Sequence, residues 1–508
     1  MLFTFLSLRL LVAGIVAAAS SVLVAALWKL FLLRHIPGPQ STSWLFGHAL
    51  ETLGVLWHNI DVYPEPYVSW MLQFGGVFRI REGLTPVVVV TDPKAMYHVL
   101  ARNNHNYHRD FVVQAHYDDV LFGANLITTS GPGHDRLKKH EMPPMSASRV
   151  KSYVGIFERH ALRCCDSVLA HASKAKTSVD MKLELAQFML EVLGAAIFSF
   201  DFVEHPVTAT TFQDYLFRTT VVDLIGVALC PTYLHWPLRR HARRHAARQL
   251  LHDTFTIAIQ AKKKQCGCQP TTNADEPRDI LDTMLPHLTS DEALAETMVI
   301  LSGGLENTST ALAWGFASLA SHPNVVSKIR AEYEAHMAKH GSLAGHELKY
   351  TTAVVQEILR LYPSTMLRRV SAKCDNIPMT DGSTVFIPEG TFITTQTAAM
   401  HRLPQYWTDP NDFVPERFVE DSPEWQEDLA LRGGKAHASV YLPFAVGGMQ
   451  CLGFRFAPAA MQVVVATIVG RFDFELAGDA DLRRKLNVLT MPPTKLTMTL
   501  KAVHPPSE

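Results

Sequence analysis

The sequence predicts a mainly α-helical protein with small β-sheets, and three observations support this prediction. Apolar residues recur at helical spacing through most of residues 92–356, which is the pattern of amphipathic and buried helices. Two short apolar stretches on either side of Gly83 are typical of a β-hairpin. Near the carboxyl end, apolar residues alternate with others in 472–476 and 496–500, which indicates further short strands.

The amino-terminal segment resembles a membrane anchor in its composition. Residues 10–28 form an unbroken run of 19 uncharged, mostly apolar residues. A helix of that length, at about 1.5 Å per residue, nearly matches a hydrocarbon core about 30 Å thick. Positive charges follow the run at Lys29 and Arg34, whereas only Arg9 precedes it. This predicts one transmembrane helix with a cytosolic body. A cleaved signal peptide, with the small residues 17–19 near its cleavage site, is the alternative.

A proline-rich hinge, His35-Ile-Pro-Gly-Pro39, follows the predicted anchor. Pro37 and Pro39 have no amide hydrogen and restrict the residues before them, so the helix ends there. The rest of the sequence shows no internal repeat and no low-complexity linker. We therefore expect an anchor and the start of the hinge in residues 1–35, and a single catalytic domain in 36–508.

Local patterns locate the main elements of the body. The predicted strands and the clearest helices are the hairpin strands 77–80 and 87–90 and the helical stretches 150–172, 180–200 and 292–320. Thr289 and Glu292 have the spacing of a capping box, which would open the last of these helices. The stretch 265–277 is polar and rich in turn formers, which predicts an exposed loop.

The composition excludes several classes of protein. The 508 residues include 47 Lys and Arg against 48 Asp and Glu, for a formal net charge of −1, and 47% of the residues are hydrophobic. A disordered chain would be poorer in apolar residues, and a nucleic-acid-binding protein would need a surplus of basic ones. The seven cysteines are scattered, which argues against a disulfide framework and favours a reducing compartment.

The most informative stretch is Phe444-Ala-Val-Gly-Gly-Met-Gln-Cys451-Leu-Gly453, which is followed by a helical pattern through Ile468. A cysteine at a helix N-terminus meets unpaired backbone N–H groups and the positive end of the helix dipole, and both favour the thiolate. Gly447 and its neighbour Gly448 allow backbone conformations that bulkier residues would obstruct. On this stretch alone, an inert cysteine packed beside the start of a helix is an equal alternative.

This stretch resembles the cysteine-ligand loop of the cytochrome P450 family, Phe-x-x-Gly-x-Arg-x-Cys-x-Gly. Phe444, Gly447, Cys451 and Gly453 match the loop in register, whereas Met449 stands in its Arg position. The resemblance implies the cytochrome P450 fold and implies that Cys451 is the thiolate ligand of heme b (iron protoporphyrin IX). Such a ligand pushes electron density into the iron and favours O–O cleavage. The propionate contact of the family's Arg is then absent or supplied elsewhere.

Two further motifs resemble the same family. Glu357 and Arg360 form a Glu-x-x-Arg, whose side chains share one helix face. Arg417 lies in Pro-Glu-Arg-Phe, 57 residues after Arg360 and 34 before Cys451. In the family these residues form a structural triad, because a carboxylate can accept forked hydrogen bonds from two guanidinium groups.

The resemblance also implies residues that bind the haem propionates. Arg369 lies where the family often places a propionate-binding arginine, and Arg368 is the competing choice. His134 and Lys138 would be the counterparts of the family's Trp-x-x-x-Arg. Both residues differ from the Trp and Arg of that pattern, and Met449 differs from the Arg of the cysteine-ligand loop. We therefore expect the propionate contacts to be redistributed among other residues.

The stretch 302–310 resembles the family's distal helix motif, [Ala/Gly]-Gly-x-[Asp/Glu]-Thr-[Thr/Ser]. Gly303 and Gly304 fit, since two glycines weaken a helix and can open a groove for dioxygen, and Glu306 fits the acidic position. Asn307 replaces the family's proton-steering Thr, and Thr308 points about 100° further round an ideal helix. Proton delivery would use Glu306, Asn307 and a water, or Thr308 after local distortion. A substitution by Asn with little effect is the other alternative.

The resemblance implies a membrane-bound monooxygenase that oxidises a hydrophobic small molecule, such as a lipid, terpenoid or other secondary metabolite, with O2. Among family members the chain is most like the fungal microsomal ones, which implies the endoplasmic reticulum and contact with membrane lipid. The sequence has no dinucleotide fingerprint and no Walker loop, so electrons should come from a separate NADPH-cytochrome P450 reductase. By analogy, five mostly apolar segments line the pocket: 111–122, 221–230, 301–306, 364–367 and 488–491.

Two alternatives remain open at this point. Some relatives rearrange or dehydrate hydroperoxides without a reductase, and Asn307 motivates that hypothesis because it departs from the usual Thr. The other alternative is a haem-binding protein that does not catalyse. The retained Glu306 and the glycine pair argue against it.

Overall fold

The computed structural model describes residues 17, 20–21, 23–52, 63–203, 205–218, 220–230, 232–268, 279–345, 347–363, 367–485 and 490–503. In chain order its helices are α1 (23–32), α2 (Ala49–Thr52), α3 (Tyr67–Phe74), α4 (Pro93–Tyr97), α5 (Phe111–Val120), α6 (Pro132–Glu141), α7 (Ala147–Cys164), α8 (Ala170–Ala175), α9 (Met181–Leu193), α10 (Ala209–Phe212), α11 (Val221–Leu229), α12 (Ala242–Cys268), α13 (Ile280–Met284), α14 (Ser290–Ala320), α15 (Pro323–His340), α16 (Lys349–Leu361), α17 (Thr397–Met400), α18 (Pro423–Leu431) and α19 (Phe456–Arg471).

The strands are β1 (Val77–Glu82), β2 (Thr85–Val90), β3 (Tyr107–Arg109), β4 (Val179–Asp180), β5 (Leu367–Ser371), β6 (Asp375–Pro378), β7 (Thr384–Ile387), β8 (Phe392–Thr395), β9 (Phe472–Leu476), β10 (Asp481–Arg484), β11 (Pro493–Lys495) and β12 (Thr497–Ala502). Helix therefore predominates over short strands, as the sequence predicts. The chain divides into two compact units, one made of 1–110 and 366–400 and the other of 111–365 and 401–508.

The first unit is built on a five-stranded sheet in the order β1-β2-β8-β5-β3. The predicted hairpin is confirmed: β1 and β2 pair antiparallel, and Gly83 turns between them with φ +59°. The four valines 87–90 have no exposed surface, because β2 lies between β1 and β8 and is covered on both faces. A second, two-stranded sheet pairs β6 with β7.

Helix α1 ends before Pro37 and Pro39, where the sequence predicts the hinge. In the part of the chain that the structure describes, no helix has both the length and the apolar character that a membrane crossing requires. Most of the predicted anchor, including residues 10–16, 18–19 and 22, lies outside the described residues.

The second unit is organised around α14, a helix of 31 residues. The predicted capping box is present, since the Thr289 side chain accepts from the N–H of Glu292 and the Glu292 carboxylate accepts from the N–H of Thr289. α14 packs against α9, and α19 packs against α7. The predicted carboxyl-terminal strands are also confirmed as β9 and β12, which pair antiparallel.

The predicted loop at 265–277 is wrong in its first four residues, because α12 continues to Cys268. The residues before them, Ala261-Lys-Lys-Lys-Gln265, are strong helix formers, and their propensity carries the helix past the first turn-forming residues. The remainder of that prediction falls on residues 269–277, which are outside the described part of the chain.

Two buried carboxyl groups meet where α6 packs near α14. Glu141 and Glu296 have no exposed surface. Burial is the main cause that raises the pKa of Glu141 well above its usual range, and the neighbouring Glu296 adds to it. Burial likewise raises the pKa of Glu296 to about 7, while Glu141, the Leu126 amide and Arg136 partly offset the rise. A carboxyl whose native pKa is raised stabilises the fold at low pH and loses that contribution as the pH rises through the native pKa.

We predict that Glu296→Gln stabilises the protein increasingly between pH 5 and pH 8, because glutamine cannot ionise in this buried position. At pH 8 the gain should be on the order of 2 kcal/mol, since one pKa unit is worth about 1.4 kcal/mol. The measurement is the thermal midpoint of both proteins across this range, with Glu334→Gln on the exposed face of α15 as the control. A difference between Glu296→Gln and wild type that is constant with pH would contradict the prediction.

Candidate active site

The loop before α19 presents Cys451 through a tight set of backbone hydrogen bonds. The N–H of Cys451 donates to the carbonyl of Phe444 at 3.0 Å, and the N–H of Gln450 donates to that of Gly447 at 3.1 Å. Gly447 has φ +85° and Ala445 has φ +57°, so the loop holds a non-glycine residue in the left-handed region, which costs free energy. The sequence predicts the role of Gly447 in this turn, but it gives no sign of the strain at Ala445.

Cys451 is accessible from solvent, although protein atoms crowd its thiol closely. This desolvation raises the pKa of the Cys451 thiol, while the N–H of Gly453 and the positive charge of Lys138 lower it. The sequence prediction placed Cys451 at a helix N-terminus, and this is wrong in detail. α19 begins at Phe456, five residues later, and a turn lies between them. The groups that favour the thiolate are therefore the N–H of Gly453 and the charge of Lys138.

Lys138 reaches the cysteine loop from α6. Its Nζ donates to the carbonyl of Gly448 at 2.6 Å and to that of Gln450 at 3.3 Å, so it ties α6 to the backbone on either side of Met449. His134, one turn earlier, is buried, and its Nδ1 lies 3.2 Å from Asp135 Oδ1. The structure thus brings Lys138 to the predicted site through backbone contacts. The propionate roles of Lys138 and His134 stay predictions.

The three residues of the predicted triad lie together in the second unit. Arg360 donates to both carboxylate oxygens of Glu357, from Nε at 2.7 Å and from Nη2 at 2.8 Å. Arg417 donates from Nε to Glu357 Oε1 at 3.2 Å, and the backbone N–H of Val414 donates to the same oxygen at 2.8 Å. Glu357 and Arg360 are fully buried and Arg417 nearly so. A short 3₁₀ turn, Pro415–Phe418, carries Arg417 into this position.

Sequence reasoning missed three residues that complete this network. Asp428 on α18 accepts from Arg417 Nη1 at 2.8 Å and has no exposed surface. Trp407 lies under the guanidinium groups of Arg360 and Arg417, with centroid distances of 5.2 and 6.0 Å. His401 accepts the N–H of Leu442 at Nε2, 2.8 Å away, and its Nδ1 lies 2.9 Å from the Arg360 carbonyl. Burial lowers the pKa of His401 to about 3, so it links the network to the cysteine loop as a neutral ring.

One stripe of α14 differs from the rest of the helix. From residue 293 to residue 317, all residues are buried except Gly303, Gly304 and Asn307, which are half-buried. Asn307 Nδ2 donates to the Gly303 carbonyl at 2.8 Å. A Cβ on Gly304 would lie 2.7 Å from Leu193, so this glycine allows α9 to approach α14. The two glycines predicted to open a dioxygen groove thus belong to this stripe, and the groove itself stays a prediction. Gly304 also has a packing role.

The other two predicted catalytic residues of α14 lie off this stripe. Thr308 is buried. Glu306 is 1% exposed, and its carboxylate is held by Lys182, Thr310 and Thr490. The structure therefore places Asn307 on the accessible face and Glu306 in a buried network. The sequence gives no sign that Lys182 is a partner of Glu306, because 124 residues separate these two positions.

Arg369 belongs to the first unit, where it lies on β5 opposite Arg109 on β3. Arg368, the competing candidate, pairs with Glu82 at 2.6 Å and with Asp110 at 3.1 Å. Burial lowers the pKa of Arg369 to about 10, and burial together with the Arg369 charge lowers that of Arg109 to about 9. Arg368 therefore has carboxylate partners, whereas Arg369 has no ion pair to a carboxylate among the described residues. This difference favours Arg369 over Arg368 as an anion-binding residue.

The residues around Cys451 fit a haem iron. Cys451 is an exposed residue, and Gly453 supplies a backbone N–H to its sulfur. The thiolate of Cys451 would be the ligand that the iron takes from the protein, and it would increase the electron density on the iron. A backbone N–H that donates to a ligating sulfur changes the reduction potential of the bound iron.

Comparison with known proteins agrees with this geometry. A sequence model of the family "Cytochrome P450" matches residues 37–500. Cytochrome P450 monooxygenase claU of Ampulloclitocybe clavipes is 25% identical over 474 residues, which cover 87% of this chain and 86% of that protein. Protein LUTEIN DEFICIENT 5, chloroplastic, of Arabidopsis thaliana is 26% identical over 86% of this chain and 72% of its own. Cytochrome P450 3A6 of Oryctolagus cuniculus is 24% identical over 93% and 92%.

We predict that Glu357→Gln destabilises the protein by about 3 kcal/mol or more, because it leaves two buried guanidinium groups without their shared charge. The thermal midpoint and the haem retained after purification would both fall. Glu427→Gln, at an exposed position of α18 beside Asp428, is the matched control and should behave like wild type. A Glu357→Gln protein that melts with wild type would show that the triad is dispensable.

Proposed function

The chain belongs to the cytochrome P450 family, and we propose on this basis that it is a membrane-anchored monooxygenase of a hydrophobic small molecule. Enzymes of this family use haem with a thiolate ligand, O2 and electrons from a redox partner. The observation that carries the proposal is the accessible Cys451 in a loop fixed by Phe444, Gly447 and Lys138.

When haem is bound, it supplies the activation of dioxygen, and the chain's own residues bind and orient. Cys451 would hold the iron, and the buried Glu357 network fixes the main chain that leads to its loop. On α14, Asn307 lies on the accessible stripe, where its amide can hold a water or a proton donor in place. The surrounding apolar helices would limit the entry of bulk water.

We propose that the electrons come from a membrane-bound NADPH-cytochrome P450 reductase. The sequence supports this because it has neither a dinucleotide fingerprint nor a phosphate-binding loop. The substrate we propose is a lipid, terpenoid or other apolar metabolite, since the segments expected to line the pocket carry few charges.

We further propose that the amino-terminal helix anchors the chain in the endoplasmic reticulum with the catalytic part in the cytosol. The apolar run 10–28 and the positive charges after it support this. So does the exposure of apolar side chains on α1, namely Leu23, Val24, Leu27, Trp28 and Phe31. Large apolar side chains on an exposed helix mark a contact with lipid or protein.

Reconstitution tests the proposal. The full chain is expressed with its cofactor, isolated with the membrane fraction, and combined with NADPH and the reductase. We expect NADPH to be oxidised, and an apolar metabolite from a panel of lipids and terpenoids to gain one oxygen atom from 18O-labelled O2. A Cys451→Ala chain should do neither.

Three outcomes would contradict parts of the proposal. Recovery of the chain in the soluble fraction would contradict the anchor. Turnover of a fatty-acid hydroperoxide without reductase, in the absence of any NADPH-dependent product, would replace the monooxygenase with a hydroperoxide isomerase or dehydratase. Binding of the panel without any product would indicate a non-catalytic haem protein.

A further inference from the structure

The buried carboxyl pair Glu141 and Glu296 is held without a cationic partner among the described residues. Neither residue has any exposed surface, and their two side chains are hydrogen-bonding neighbours. In the same part of the chain, no lysine, arginine, histidine or hydroxyl group donates a hydrogen bond to their four oxygens. Two adjacent carboxylates repel each other strongly when they are buried, so the pair is stable with a proton between its oxygens.

The charged groups nearest to this pair offset each other. Arg136 lies on the same helix as Glu141 and pairs with Glu292 at 2.5 Å. Glu292 lies one turn before Glu296 on α14. Burial is the main cause of the raised pKa of Glu296, and among the charges outside the pair, Glu292 raises this pKa whereas Arg136 lowers it. Neither neighbour therefore replaces the shared proton.

The other titratable groups around the end of α6 have partners of their own. The rings of His140 and His287 stack with their centroids 3.9 Å apart, and Asp282 of α13 pairs with Lys262 at 3.3 Å. The pKa of Glu141 is raised by burial first and by the neighbouring carboxyl second. The titration of the pair therefore depends mainly on burial and on its own proton.

Polar contacts fix the position of α6, because Leu137 is the only branched apolar side chain among its ten residues. Lys138 joins the helix to the cysteine loop through the carbonyls on either side of Met449. Thr283 Oγ1 donates to the carbonyl of His140 at 3.0 Å. Towards α14, the helix has one partly exposed ion pair and the buried carboxyl pair. The carboxyl pair is therefore the buried polar contact between α6 and α14.

We propose that Glu141 and Glu296 form a carboxyl latch that positions Lys138. A proton shared by the two carboxyl groups holds α6 against α14, and α6 holds Lys138 against the cysteine loop. When the latch ionises, its protons pass to solvent and the two negative charges repel each other, which loosens α6 and moves Lys138 away from the loop. The effect on haem rests on the proposed function, because it assumes that Cys451 binds the iron.

The direction of the pH dependence follows from the burial of the latch. In the closed arrangement the pKa of both carboxyls is raised, whereas a carboxyl that opening of α6 exposes to water titrates near its usual value of about 4.3. Opening therefore releases protons above pH 5 and becomes more favourable as the pH rises. The charge of Lys138 lowers the pKa of the Cys451 thiol, so its movement away disfavours the thiolate.

The test is a pH series from 5 to 8 on the full chain with its cofactor. Wild type is compared with the double variant Glu141→Gln/Glu296→Gln, whose amides can hydrogen-bond to each other but cannot ionise. Lys138→Met leaves the latch intact and removes its connection to the loop. Asp291→Asn, at an exposed acidic position in the first turn of α14, is the matched control. The readouts are the hydrogen exchange of residues 132–141, corrected for the chemical rate at each pH, and the share of reduced, carbon monoxide-bound haem in the red-shifted band.

We expect the protection of residues 132–141 in wild type to fall at least about tenfold per pH unit between pH 5 and pH 7, because opening releases at least one proton. Protection should not change with pH in the double variant, and Asp291→Asn should match wild type. The red-shifted share of wild type should fall below that of the double variant as the pH rises. In Lys138→Met, exchange should keep the wild-type pH dependence, whereas the red-shifted share should no longer follow it.

Two results would overturn the inference. One is equal pH dependence of exchange in wild type and the double variant. The other is a red-shifted share that follows exchange as closely in Lys138→Met as in wild type, since α6 would then act by another route. If the double variant does not fold, Glu296→Gln decides the matter, because it removes one ionisable group and should lower the slope of protection against pH. Failure of the proposed function would appear separately, as a wild-type chain without the red-shifted band at any pH, while exchange of α6 still tests the latch.

Discussion

The carboxylate of Glu357, which has no exposed surface, joins α16 to the segment 414–417 in the second unit. Two guanidinium groups and the Val414 amide surround it. Without them, the buried charge would strongly destabilise the fold. Arg360 directs its remaining donors to the carbonyls of His401, Pro410 and Asp412. Because His401 then receives the N–H of Leu442, the position of the chain that enters the cysteine loop depends on this one buried charge.

A cation from another helix lies near Cys451, where the loop departs from the family pattern at Met449. Met449 replaces an arginine, and Lys138 donates to carbonyls on both sides of that methionine. Its positive charge also lowers the pKa of the Cys451 thiol. A cation therefore remains near the sulfur, although it comes from α6 and not from the loop itself.

The features that the sequence predicts are those encoded by short spacing. The capping box at Thr289 and Glu292, the hairpin around Gly83 and the loop from Phe444 to Cys451 each need only neighbouring residues. Partners that meet through the tertiary fold leave no such pattern. Asp428, Lys182 and Thr490 are ordinary residues in their local sequence, and only the packing of distant elements brings them to Arg417 and Glu306. The part predicted for Glu306 in proton delivery stays a prediction, and the structure adds that its carboxylate lies in a buried network with Lys182.

The proposed function requires a bond between the sulfur of Cys451 and a haem iron. The most direct measurement is the absorption spectrum of the purified, reduced protein under carbon monoxide, compared between wild type and Cys451→His. We expect the wild-type spectrum to show the strongly red-shifted band typical of thiolate ligation, and the variant to lose that band while it retains haem. A wild-type spectrum without the band, or a variant spectrum that still shows it, would contradict the assignment.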